Sequence, residues 1–251
     1  MGARRSDGRP RRSGASGRRL ALLAAGALAL LAAGPALSAT GAISGACRVP
    51  DIYLTFNSVL PRTERLISRA DPVRILVIGA HAEPRLPAVK KRPTLQSSLP
   101  SRLPDVPLTI IEATTVPATV AQDFRQLRVA VGEARPDLVI WNVGTGDVIA
   151  GTDGEAFEET LSEAVEWLQR QGIDLVLVDP PFLPEAREKN RYARIVQRIG
   201  ELSDRQSLNV LRQNGATTYL FSSPQSGARG GIGVLCLPEL LAEAIGRAAL
   251  R

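Results

Sequence analysis

Short apolar runs alternate with amphipathic stretches along most of the chain. Arg74-Ile75-Leu76-Val77-Ile78-Gly79 is a continuous apolar run closed by glycine, the pattern of a strand buried on both faces. Residues 108–111, 138–143 and 173–178 repeat it. Val120, Phe124, Leu127 and Val131 fall at helical spacing, with Pro136 as the stop. Phe157, Leu161, Ala164, Val165 and Leu168 form a second stripe behind an expected capping box, Thr152-x-x-Glu155. Tyr192, Ile195, Val196, Ile199 and Leu202 outline a third. A fifth strand is expected near 208–211, with 217–221 as its competitor, and a closing helix over 237–250. Residues 51–70 read as a helix packed on the domain. The five prolines of 80–105 predict a long surface loop there, and 225–233 reads as a glycine-rich loop.

Strand and helix alternate at least four times, so each crossover must cover a face of one parallel sheet. The pattern predicts an α/β three-layer sandwich around a central parallel sheet of about five strands, one domain over residues 40–251. Apolar residues make up 44% of the chain, enough for a full core without a metal or disulfide framework.

Charge changes this picture only at the amino terminus. The 251 residues carry a net charge of +6, and seven arginines (Arg4, Arg5, Arg9, Arg11, Arg12, Arg18, Arg19) against Asp7 account for all of it. The remainder is near neutral and has no basic face interleaved with aromatics, so nucleic acid is not an expected partner. An Ala/Leu run over 20–33 and a small-residue segment over 34–46 follow the arginines. This order predicts a secretory signal over 1–39, cut near Ser38 or Ala39, and an exported protein, periplasmic or extracellular. Two alternatives keep a membrane contact through this segment. The apolar run can remain as an N-terminal anchor, although it is short against a span of about 20 residues. Ser44-Gly45-Ala46-Cys47 is similar to a lipoprotein cleavage box without its branched apolar residue, and Arg18-Arg19 is a weak twin-arginine feature. In an oxidising compartment Cys47 and Cys236 are disulfide candidates, the alternative being two unrelated thiols.

The third apolar run ends in Trp141-Asn142-Val143-Gly144-Thr145-Gly146-Asp147, a glycine-rich turn with a carboxylate at the carboxyl edge of a parallel sheet. These residues resemble the third signature block of the SGNH (GDSL-type) hydrolases. The resemblance spans roughly residues 48–250 and is strongest at 73–79, 136–147, 174–181 and the helix containing Cys236. It implies a flavodoxin-like sheet order and ester hydrolysis by acyl transfer without a cofactor, on acyl groups of carbohydrates or lipids. In that family a Ser after the first strand attacks the carbonyl and a His before the last helix takes its proton. A Ser amide, a Gly amide and an Asn side chain hold the oxyanion.

Four positions depart from the pattern. The nucleophile turn reads Gly79-Ala80-His81-Ala82-Glu83, without a hydroxyl. The turn after the second strand, Glu112-Ala113-Thr114-Thr115, has no glycine. The Asn of the third block is Gly146. No Asp-x-x-His precedes the last helix: His81 is the single histidine, and no Asp follows Asp204. Losing one oxyanion donor alone costs about 10²–10³ in rate.

The cleft-lining set is therefore Gly79, Ala80, His81, Thr114, Gly144, Gly146 and Asp147, with His81 and Asp147 as the weak catalytic candidates. A His81–carboxylate pair with Glu83 or Asp147 offers a general base, against a surface or second-layer histidine. Asp147 can also simply bond neighbouring amides. No cluster at metal-ligand spacing exists, so no metal or cofactor is expected. Gly144-Thr145-Gly146 lacks a third glycine and is expected to open no immediate helix, unlike a nucleotide fingerprint. Lys90-Lys91-Arg92 and Arg229-Gly230-Gly231 read as solvated patch and loop, and Asp179-Pro180-Pro181 as a stiff strand exit. The expectation is an exported, degenerate relative of acyl esterases that retains binding, of a cell-envelope glycan, an acyl ester or a protein partner. The alternatives are an active hydrolase rearranged around His81, Asp147 or a serine among Ser97, Ser98, Ser222 and Ser223, and a structural envelope protein.

Overall fold

Five parallel strands form one sheet in the order β2-β1-β3-β4-β5: β1 Val73–Ile78, β2 Leu108–Glu112, β3 Leu138–Asn142, β4 Asp174–Val178 and β5 Asn209–Leu211. The computed structural model describes residues 43–80, 93–113, 116–183, 188–222 and 232–250. The predicted leader over 1–39, His81, Thr114, the Lys90–Arg92 run, Ser223 and the Arg229–Gly231 loop lie outside them. Residues 39–251 form one compact unit.

The helices are α1 Pro61–Ser68, α2 Leu95–Ser98, α3 Val120–Ala134, α4 Thr145–Ala150, α5 Gly154–Arg170, α6 Lys189–Gln206, α7 Gln213–Ser222 and α8 Ile232–Ala249. Alternation along each strand sorts them into two layers. Val73, Ile75, Leu138, Ile140, Val176 and Val178 face one core, which α2, α7 and α8 cover through Leu95, Ala216, Leu220, Leu240 and Ile245. Leu76, Ile78, Val139, Trp141 and Leu177 face the other, closed by Phe124 and Leu127 of α3, Phe157 and Leu161 of α5, and Ile195 and Ile199 of α6. From β1 the chain moves out to β2 and then crosses back to β3 on the opposite side of β1, so the order reverses between β1 and β3. The crevice at the carboxyl ends of these two strands is where such sheets bind ligands.

Four local expectations change. Residues 51–70 are not one helix: a 3₁₀ turn at Asp51–Tyr53 precedes α1, which starts at Pro61, where the missing amide is no loss. The 80–105 loop contains α2 and a 3₁₀ turn over Leu99–Ser101, because Leu95, Leu99 and Leu103 are buried in the core. The cap of α5 is Asp153, whose carboxylate accepts from the Glu155 and Ala156 amides (2.9 and 3.2 Å), rather than Thr152. Residues 217–221 belong to α7, which leaves β5 at 209–211.

At the amino edge of the sheet, acids at the starts of β3 and β4 hold α1. Asp174 accepts from the Arg62 and Thr63 amides (3.3 and 2.7 Å). Asp137 accepts from Arg62 Nε (2.7 Å) and the Arg74 amide (2.9 Å). Cys47 and Cys236 are disulfide-bonded with Cα atoms 5.3 Å apart, and this bond ties the amino-terminal arm to α8. Glu239 adds to the same junction, accepting from the Ser44 amide (2.8 Å). A Cys47 sulfur in that bond is not available to carry a lipid. Among the described residues no helix is long and apolar enough to cross a membrane.

Candidate functional site

β1 and β3 are both followed by glycines that reverse the chain with positive φ, Gly79 at 75° and Gly144 at 91°. Asn142, the last residue of β3, joins the two ends by donating Nδ2 to the Gly79 carbonyl (3.1 Å). Beyond Gly144 the chain enters α4 at once, contrary to the sequence expectation; the six-residue helix is too short to show an apolar period. Gly79, Ala80, Gly144, Gly146 and Asp147 are thereby gathered at the reversal of strand order.

The turn is packed rather than open. Thr145, Gly146 and Asp147 are all buried. A Cβ placed on Gly146 lies 2.0 Å from the Ala118 carbonyl oxygen, far inside van der Waals contact. The backbone before α3 thus occupies the volume that a side chain at 146 would fill. A Cβ on Gly79 would meet the Asn142 carbonyl at 2.1 Å and Asp123 Oδ2 at 3.0 Å. Asp147 is 0% exposed, and its Oδ2 accepts from the Val120 amide at 2.9 Å, which anchors the first turn of α3.

Asp123, in the first turn of α3, was not singled out from sequence. It is 1% exposed and accepts from Trp141 Nε1 at 3.1 Å. The signal was present: with Val120, Phe124 and Leu127 it completes an i, i+3, i+4, i+7 stripe, so an acid there points inward. Burial pushes its carboxyl up to about 7, helped by the charge of Asp147 and opposed by the Trp141 N–H. Burial also raises Asp147, against the Val120 amide. Oδ1 of each acid has no hydrogen-bond partner. One strand further along, Asp179 accepts from the Asn214 amide (2.8 Å) and burial pushes it up to about 7. Tyr192 donates its hydroxyl to the Pro181 carbonyl, and its phenol is raised by burial and by Asp179.

Among the described residues no group of acids, cysteines or histidines is arranged to hold a metal ion. Thr145 supplies the single hydroxyl in the turn after β3, and it is 4% exposed. Asp123 and Asp147 are enclosed, and proton transfer to or from a substrate requires access that this packing does not give.

The five-stranded parallel sheet between two helical layers is that of the SGNH-hydrolase fold. A sequence profile of the non-GDSL lipase-like family matches residues 46–251, and the chain belongs to that family. Among solved structures, TesA aligns with a TM-score of 0.52 at 16% identity, covering 70% of this chain and 97% of its own. An α/β hydrolase, LAE5, from the metagenome of Lake Arreo gives 0.53 at 16% identity, covering 70% and 97%. The lipase/acylhydrolase from Enterococcus faecalis gives 0.52 at 18%, covering 70% and 94%. At these identities the likeness is one of fold. No curated protein sequence matches the chain.

Proposed function

We propose that this protein is an exported member of its family whose ester-hydrolysing site has decayed, leaving a binding role at the cell envelope, toward a glycan or an acyl ligand. One observation carries the reading: the Ala118 carbonyl stands 2.0 Å from the Cβ position of Gly146, where the resemblance to SGNH hydrolases calls for the oxyanion-binding Asn. The sequence points the same way, with no hydroxyl directly after Gly79 and no Asp-x-x-His leading into α8. Without nucleophile, base and donor, the acyl-transfer route loses each of its working parts. The arginine-rich leader and the Cys47–Cys236 bond support passage to an oxidising compartment.

The test is hydrolysis of short activated acyl esters by the purified full chain beside a His81→Ala variant. The reading expects equal, background rates. Saturable turnover that disappears with His81 replaces it with an active hydrolase of rearranged site.

A further inference from the structure

A groove of about 490 Å³ is lined by the residues after β4, by α6 and by α7, and shares no residue with the turns after β1 and β3. Phe182 and Leu183, just past β4, form one wall. α6 forms the floor with Lys189, Ala193, Val196 and Gln197, whose i, i+4, i+7, i+8 spacing puts them on one helix face. Eight residues of helix extend about 12 Å.

The polar groups of this lining are already engaged. Gln197 Nε2 donates to Glu201 (2.8 Å), Asn214 Nδ2 to the Pro180 carbonyl (3.2 Å) and the Thr218 hydroxyl to the Asn214 carbonyl (2.8 Å). The Tyr192 hydroxyl is held by the Pro181 carbonyl. So engaged, these side chains offer the groove mainly carbon. Lys189 is different. It is exposed in the first turn of α6 and forms no ion pair with another described residue, while its neighbour Glu188 is turned to Arg191 (3.7 Å). Glu188 makes no side-chain cap bond, so the first amides of α6 add positive potential at the same end.

One cationic end and the apolar side chains of Phe182, Leu183, Ala193 and Val196, in a groove whose helical floor is about 12 Å long, match a single ligand class. The geometry points to a binding site for the free anion of a medium-chain fatty acid, its carboxylate on Lys189 and its chain along Ala193 and Val196 toward Gln197. A neutral ligand leaves Lys189 without a partner, and a short polar anion leaves the apolar floor uncovered. The inference goes beyond the proposed function and stands whether or not hydrolysis survives at the β1–β3 turns.

Calorimetric titration of the full chain with sodium decanoate below its micelle concentration tests it, beside decanol and acetate. The expected result is one decanoate per chain, with acetate not bound. Lys189→Ala weakens decanoate at least tenfold while leaving decanol unchanged. Ala193→Trp, at an exposed position of α6, fills the groove and removes binding of both, with the circular dichroism of the native fold. Absence of decanoate binding, decanoate affinity that neither substitution alters, or decanol bound as tightly as decanoate overturns it. The ester assay reads the other site, so the two results fail independently.

Discussion

The two edges of the sheet treat their buried acids in opposite ways. At the amino edge, both oxygens of Asp137 and both of Asp174 accept hydrogen bonds, from amides and from Arg62. At the carboxyl edge, Asp123 and Asp147 each use one oxygen and leave the other bare. A bare buried carboxylate oxygen is costly, and the protein lowers the cost by holding Asp123 near neutrality. The amino edge is therefore joinery between α1 and the sheet. The carboxyl edge instead keeps two acids with an unpaired oxygen in a turn packed against the Ala118 backbone.

The largest expected difference between the edges is in stability. Asp174→Ala strips two acceptors from the buried start of α1, and urea unfolding should show a loss of about 3 kcal/mol. Asp137→Ala should cost less, about 1–2 kcal/mol, because Arg62 is 40% exposed and water can take its place. A loss at Asp174 no greater than that of an ordinary surface substitution would show that α1 is not held there.

pH separates the edges next. Asp123 and Asp179 are raised from 3.8 to about 7, so between these values the folded chain holds protons that the unfolded chain has released. Their stabilising contribution is complete below pH 3.8 and is lost as pH rises through 7, with a slope of at most about 1.4 kcal/mol per pH unit for each group. Unfolding free energies measured from pH 4.5 to 8 should show Asp123→Asn with a shallower decline than the parent chain. Equal slopes would mean that Asp123 is ionised in the fold. The smallest effect is that of Asp123→Asn itself near pH 5: its amide oxygen still accepts from Trp141, and the change should stay within about 1 kcal/mol.

β1, β3 and β4 were readable because each belongs to a continuous apolar run closed by Gly or Asp, and the main helices because their stripes keep one period. α2 was hidden by proline density, which outweighed the i, i+4, i+8 spacing of Leu95, Leu99 and Leu103. The cap of α5 was displaced by one residue because Thr152 and Asp153 are both good caps, and only the structure shows which side chain reaches the amides. In the site, the missing Ser, Asn and His were plain from the residues themselves. The burial of Asp123 was legible in the α3 stripe, and only its bond to Trp141 needed the fold. That of Asp147 was not, since it depends on Val120 arriving from α3. Nor was the reason for Gly146, which lies in the Ala118 backbone rather than in its own neighbours.

Gly146→Ala tests the closure of the β1–β3 crevice most directly. Its methyl group has no room beside Ala118, so urea unfolding of the variant should show a loss of about 2–3 kcal/mol, as for an overpacked core. A variant as stable as the parent, or stabilised as alanine usually stabilises a helix, would show that residues 116–119 do not fill this space and that the crevice is open to a ligand.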